Sequence, residues 1–354
     1  MNSIQRILHR PFFIKLFNWE YWSFASVYFC IYPVWVLLCL RARSFFFFAA
    51  SNPTIKNGGF LCESKKDIIP IIPAQHHPPT VFFSIPTNGS IVVRELQRAG
   101  LQYPLIGKPN IGARGRGIKV LRNEQEVLAY CHTAYLDFHI QEFVSWKCEA
   151  GIFYVRNPNQ ASGAITGIVY KEFLSVTGDG KHSMLQLLQK DKRALMYLCS
   201  LKKIHGDRLN QVLPAGEKQI VSPFGNHARG SRFTDASHLA DEALTRVIDD
   251  ICKQIPGFYF GRLDIRFESW EALKAGRNFS IIEVNGAGSE PTHIYDPRHS
   301  LFFAWKEIIR HWVLLYRISR INHKKGHRYL SFREGIAMFR EANIFAKKLN
   351  AMTE

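Results

Sequence analysis

The longest unbroken apolar run lies near the start of the chain. Residues 21–40 read YWSFASVYFCIYPVWVLLCL and contain no charge. At about 1.5 Å per residue such a run reaches across a bilayer core of about 30 Å. Trp19, Tyr21, Trp22 and Trp35 are of the aromatic types favoured at the headgroup level. Pro33 interrupts the run and allows a kink into a re-entrant or interfacial element. Arg6, Arg10 and Lys15 precede the run and Arg41 and Arg43 follow it, so loop charge assigns no orientation. The pattern predicts a membrane-associated helix within residues 1–50. A buried helix of an ordinary core is the competing reading, and the run starts too late and is too long for a cleaved signal peptide.

Beyond it the periodicity changes. Residues 51–86 are rich in Asn, Gly and Pro and predict loop, with one short strand at 68–72. Lys65 and Lys66 lie in that loop and could meet an anion or simply be solvated. Residues 90–99 have helical spacing, with Gly100 as the stop. Strand-like runs follow at 103–108, 118–121, 139–144, 151–156, 165–172, 257–267 and 279–285. Helical patterns lie at 124–130, 183–190 and 236–255. Strands with segregated helices predict an α+β fold. Residues 304–321 and 335–349 are amphipathic and basic, which suits either anionic lipid or a solvated face. The divisions expected are 1–50, membrane-associated; 51–105, a short substrate-side region; 106–297, the catalytic domain; and 298–354, basic helices.

Charge narrows the partners. Lys and Arg outnumber Asp and Glu by 46 to 29, giving +17, which favours an anionic partner. No RNA-binding signature or zinc-finger spacing accompanies the surplus, so nucleic acid is not expected. The seven cysteines are scattered without a C-x-x-C pair, which predicts neither a disulfide framework nor a zinc site and fits a reducing compartment. A single segment is long and apolar enough to span, which excludes a transporter.

Three stretches carry candidate chemistry. The first, 108–118 (KPNIGARGRGI), takes a strand ending in Lys108 into a loop holding Gly112, Arg114, Gly115, Arg116 and Gly117. Glycines let backbone amides approach phosphate oxygens, and the cations offset their charge. A glycine-rich hairpin is the plain alternative. The second is Gln141, Glu142, Phe143 and Val144, with Glu149 beyond, where an apolar hinge offers backbone groups to a base and a carboxylate accepts ribose hydroxyls. A buried strand followed by a surface glutamate is the competing reading. The third is Arg262-Leu-Asp264-Ile-Arg266 with Glu283-Val-Asn285 further on. A carboxylate in an apolar strand is costly unless paired or bound to metal. Two carboxylates and an amide oxygen are the hard ligands magnesium takes, and the arginines could neutralise a phosphate in transfer. A structural ion pair is the alternative.

Glycine loop, hinge, glutamate, Arg-x-Asp and Glu-x-Asn stand in the order of the ATP-grasp superfamily, and residues 90–297 resemble its D-alanine–D-alanine ligase branch. The resemblance implies two α+β lobes gripping ATP. It implies that Lys108 and the Gly112–Gly117 loop hold the phosphates, with Gln141 through Val144 at adenine and Glu149 at ribose. Lys171 resembles the phosphate lysine of the next strand, and Arg262 and Arg266 would be catalytic cations. Asp264, Glu283 and Asn285 would bind Mg2+. Residues 176–181 resemble a segment of cyanophycin synthetases, and 226–232 read as a loop near substrate; ordinary turns are the alternative for both. The chain departs from the branch where a further lysine is usual, since residues 86–90 read PTNGS.

The reaction implied activates a carboxylate as acyl phosphate and transfers it to an amine, the substrates being small molecules or lipid-linked. The apolar run and the use of ATP predict a membrane surface as partner and the cytoplasmic face of the inner membrane as location. A kinase of the same superfamily and a non-catalytic, membrane-bound nucleotide sensor are the alternatives.

Overall fold

The computed structural model describes residues 10–112 and 115–352. Strands β1 (Thr80–Phe83), β2 (Leu105–Pro109), β3 (Lys119–Leu121) and β4 (Phe138–Glu142) form one antiparallel sheet in the spatial order β1-β4-β2-β3. A second antiparallel sheet is built from β5 (Cys148–Val155), β6 (Ala164–Glu172), β9 (Arg232–Asp235), β10 (Phe260–Phe267) and β11 (Phe279–Asn285), in the order β11-β10-β5-β6-β9. Between them in sequence, β7 (Ser175–Thr177) and β8 (Lys218–Ile220) pair as a separate ribbon. The expected α+β class is observed.

Alternation along the strands sorts the second sheet by chemistry. Ala150, Ile152, Leu263, Ile265 and Ile281 turn to one side and are buried with Leu244, Ile248 and Ile251 of the helix Glu242–Gln254. The other side carries Glu149, Arg262, Asp264 and Arg266. Further along that side Phe153, Val155 and Phe260 join Leu315 and Ile318 of the helix Leu301–Lys324. That helix therefore closes the apolar half of the face, and the charged half is left toward the first sheet. In the first sheet Leu105, Phe138 and Ile140 bury against the helices Gly89–Arg98 and Glu124–His132, which leaves Lys108, His139 and Gln141 on the face toward the second.

The apolar N-terminal run is a helical stretch, Phe24–Ala42, tightened to 3-10 geometry at Phe29–Ile31, with Pro33 in the first turn of Tyr32–Ala42. It is long and apolar enough to cross a membrane, yet Val27, Tyr28, Ile31, Leu38 and Cys39 are buried against the body of the protein. All seven cysteines are free thiols.

Two expectations need correction. Residues 68–72 are not a strand: Lys65–Ile68 is a helical turn and Ile69–Ile71 continues it as 3-10. Pro70 offers no N–H to a ladder, and the four-residue spacing of Ile68 and Ile72 sends both into the core behind β11. The boundary at 105/106 also cuts through a folded unit. β1 pairs with β4, and the helix Gly89–Arg98 shares the core of β2 and β4.

A buried asparagine fastens the loop after the apolar run. Asn52 is fully buried. Its Nδ2 donates to the carbonyls of Gly58 (2.9 Å) and Phe260 (2.8 Å), and its Oδ1 accepts from the amides of Tyr259 (2.9 Å) and Phe260 (3.0 Å). Asn52→Ala removes four hydrogen bonds to the backbone, so denaturant titration should show a loss of roughly 2–4 kcal/mol. A loss below about 0.5 kcal/mol would mean that the loop is not held this way.

Candidate functional site

On β10 and β11, Asp264 lies opposite Glu283 and Arg262 opposite Asn285, so the four side chains share a face at neighbouring positions. Asp264 is buried. It accepts from Arg262 Nε at 2.9 Å and lies 3.1 Å from Lys171 Nζ. Burial works against its charge, but Arg262 and Lys171 outweigh burial and hold the carboxyl below its ordinary value. Burial likewise opposes the charge of Lys171, and Asp264 and Glu149 overcome it, raising the amine's pKa. Gly151 lies under the cluster. A Cβ there would meet Arg262 Cδ and Asp264 Oδ1 at 3.0 Å each, so only a glycine lets the carboxylate lie flat on β5.

Glu149 and Arg266 belong to this cluster in a different role from the one expected. Glu149 Oε1 binds Lys171 Nζ at 3.1 Å and its Oε2 binds Arg266 Nε at 3.0 Å. Gly225 packs so closely on the carboxylate that a Cβ would collide with it. Both oxygens bond neighbouring cations, so Glu149 is engaged inside the cluster rather than turned to open space. Arg266 is equally engaged: Nη1 donates to the Val144 carbonyl (2.8 Å) and Nη2 to the Pro223 carbonyl (2.5 Å). It is an anchor for the hinge rather than a free cation for phosphate. Phe143 lies under the same guanidinium, 5.5 Å from its ring centroid, and Glu142 is exposed at the end of β4.

Across the gap, Lys108 Nζ donates to Gln141 Oε1 at 2.7 Å and reaches to 3.5 Å from the Ile282 carbonyl on β11. Burial lowers its pKa to about 8. His139 is buried beside it with both ring nitrogens unpartnered, and burial, then the charges of Lys108 and Lys65, keep it neutral. Gln141 completes the row by donating to Thr80 Oγ1 at 3.0 Å. In the glycine loop, Gly115 and Gly117 take positive φ, +71° and +70°. The Gly117 carbonyl accepts from Tyr130 Oη (3.0 Å) and the Gly115 carbonyl from Arg229 Nη2 (2.5 Å), so the 226–232 loop leans on this one. Gly112 lies at the loop's start, and Arg114 falls outside the described residues. Residues 176–177 end β7 and 178–181 turn out of it, with the Asp179 carboxylate accepting from the amides of Lys181 and His182.

Sequence reasoning flagged Lys65 and Lys66 as a possible anion contact but missed Asn52, the Asn-Gly-Gly turn and Glu63 in the same loop. Glu63 Oε1 accepts from the Gly286 amide at 2.6 Å, and burial pushes its carboxyl up to about 7. Lys65 Nζ lies 3.2 Å from Glu283 Oε1, and its amide donates to the Asn110 carbonyl (3.1 Å) at the mouth of the glycine loop. Gly58 and Gly59 accept from the amides of Ala287 and Gly288. The cue was an Asn-Gly-Gly turn followed closely by Glu and Lys, dense in chemistry for a connector.

The oxygen set suits a hard cation. Among the described residues no three His, Cys, Asp or Glu side chains group to hold a metal, so a cation held by Asp264 and Glu283 would need Asn285 and ligand oxygens to complete its shell. Asn285 Nδ2 is buried without a hydrogen-bond partner among the described residues, a donor left unsatisfied beside the two carboxylates.

No known family profile matches the chain, and no curated protein matches it. Partial likeness to solved structures includes a D-Ala:D-Ser ligase from Enterococcus faecalis, 15% identical at TM-score 0.42, over 74% of this chain and 64% of that one. A D-alanine–D-alanine ligase from Bacillus anthracis is 12% identical at TM-score 0.43, over 75% and 70%. A bifunctional glutathione synthetase from Pasteurella multocida is 15% identical at TM-score 0.37, over 70% of this chain but 36% of its own. The chain thus spans little more than a third of the Pasteurella enzyme's length.

Lys108 carries its charge below its lowered pKa of about 8 and loses it above. Affinity for inorganic triphosphate, followed by calorimetry, should therefore fall roughly tenfold between about pH 7 and 9. Lys108→Arg, charged throughout, should remove the decline. A decline that persists in the variant would assign it to another group.

Proposed function

We propose that this chain is an ATP-grasp ligase that uses ATP and Mg2+ to activate a carboxylate as acyl phosphate and passes the acyl group to an amine. The observation that supports the reading most is the pairing of faces. Asp264, Glu283, Asn285, Arg262 and Lys171 line one sheet, and Lys108 reaches toward them from the other, 3.5 Å from the Ile282 carbonyl. The order of motifs along the chain supports it as well. The acid and amine are small molecules or lipid-linked compounds. The apolar run together with the use of ATP supports the cytoplasmic face of the inner membrane as its location.

Asp264 and Glu283, with Asn285, would hold magnesium, which when bound offsets phosphate charge and aligns its oxygens. The remaining work is positioning and countercharge from the protein itself. Arg262 bonds Asp264 and the Glu290 carbonyl (3.2 Å), so its guanidinium is fixed at the end of β11 where an acyl oxygen would need it. Lys171 is protonated by its two carboxylate neighbours and lies ready as a countercharge. Lys108 holds a phosphate oxygen while protonated. The glycine loop, tied to Tyr130 and Arg229, covers the anion and limits water.

The test is ADP release from Mg-ATP with pooled carboxylic acids and amines. Release should require both pools and should fall at least about 100-fold in Asp264→Asn. Glu283→Gln, at a half-buried position less enclosed than Asp264, should show a comparable loss and guards against a folding artefact in the first variant. Release with the acid pool absent, or unchanged in both variants, would overturn the ligase reading.

A further inference from the structure

We infer that the N-terminal apolar segment is a seat for an anionic bilayer surface, lying in the membrane plane rather than across it. A helix on a soluble surface turns its apolar side inward and its polar side out. The stretch Phe24–Ala42 is apolar on both. Val27, Tyr28, Ile31, Leu38 and Cys39 pack into the protein. The opposite side shows Phe29 (76% exposed), Val36, Leu37 and Leu40 (65%) to solvent. At one end Trp305 Nε1 donates to the Val27 carbonyl (2.7 Å), and beside Trp305 stands Phe302, 76% exposed. At the other end Phe45 meets Phe332, 65% exposed. The apolar ridge therefore runs past the helix at both ends, a surface of the kind that marks an interaction site.

Charge selects the occupant. Glu20 is the only acid in residues 1–62, and it is paired internally with Arg193 at 2.5 Å and hydrogen-bonded to His227 at 3.1 Å. Arg41 and Arg43 are exposed at the end of the ridge, and Arg10 and Lys15 at its beginning. An apolar segment edged by cations, whose one acid is paired internally and whose neighbour Glu334 is paired with Arg328, matches the acyl boundary and headgroups of an anionic leaflet. A spanning pose would strip Val27, Tyr28 and Ile31 from Ile294, Ala304 and Ile308 and break the Trp305 bond, whereas an in-plane pose keeps all of them. Tyr28 also donates to Glu290 at 2.5 Å, and the Glu290 carbonyl accepts from Arg262, so the seat adjoins the catalytic arginine of the proposed reaction.

The test uses the full chain without nucleotide, so its outcome is independent of the ligase reading. In flotation, the protein should rise with phosphatidylcholine vesicles containing phosphatidylglycerol and much less with phosphatidylcholine alone. Arg41→Gln with Arg43→Gln should weaken the anionic binding roughly 30-fold, and Leu37→Glu with Leu40→Glu should abolish binding to both. With vesicles added from outside, a membrane-impermeant maleimide should lose access to the exposed Cys30 while still labelling Lys15→Cys and Arg43→Cys. Loss of label at one end alone would mean that the segment spans. Absence of flotation, or a dimer in sedimentation equilibrium that the Leu37→Glu and Leu40→Glu changes dissociate, would overturn the proposal in favour of no membrane seat or of a second copy.

Discussion

Asp264 is a carboxylate on a strand buried on both faces, and the site depends on its keeping its charge there. Burying an ion costs several kcal/mol unless partners of good geometry surround it. Arg262 approaches from the same strand and Lys171 from β6, both at hydrogen-bond distance. Those cations would be costly in their turn, and Glu149 takes up the remaining demand by joining Lys171 to Arg266. The result is a chain of alternating charge, Arg262–Asp264–Lys171–Glu149–Arg266, laid across three strands. Removing any one member leaves a neighbour buried and uncompensated, so the network is cooperative. Its ends differ: the Arg266 end is sealed by the hinge and the Pro223 carbonyl, whereas the Asp264 end meets Glu283, Asn285 and the gap. Only the Asp264 end of the network faces the gap between the two sheets.

The open end is shaped from outside the two sheets. Asn52 fixes the 51–63 loop to the start of β10, and its Asn-Gly-Gly turn lies against Gly286–Gly288, so the chain leaving β11 is held at a defined height. Glu63 and Lys65 then reach the same corner from the opposite side to Arg262. A loop that read as a connector is thus one wall of the site, and the apolar segment before it braces that wall through Tyr28 and Glu290. The residues with which the protein would meet a membrane and those with which it would meet substrate are neighbours in the fold.

The parts legible in the sequence were those where one residue type decides the outcome. β10 could be read because apolar and charged residues alternate from Arg262 to Phe267, and β11 because Glu283 and Asn285 flank Val284 at the end of an apolar run. Lys108 and the glycine loop could be read because three glycines and a strand-terminal lysine permit few conformations. The roles of Glu149 and Arg266 could not, since whether a buried carboxylate faces a ligand or an arginine depends on the register between β5 and β10, which pairs those two residues. Residues 68–72 misled because isoleucine favours strands locally, while Pro70 and the packing of Ile68 and Ile72 favour a helical turn. β7, β8 and β9 are three or four residues each and too short for alternation to register, and the helix Lys192–His205 went unread as well. The apolar run carried no signal for orientation, because it is hydrophobic on both sides and only the fold distinguishes the packed side from the free one.

The central claim is that one nucleotide lies between the two sheets, with its base at the hinge and its phosphates between Lys108 and Asp264. Photolabelling with 8-azido-ATP, followed by mass spectrometry of the peptides, tests it most directly. The account predicts label on the hinge segment 139–146, suppressed by excess Mg-ATP. Label outside the facing strands, or hinge label that Mg-ATP does not displace, would contradict it.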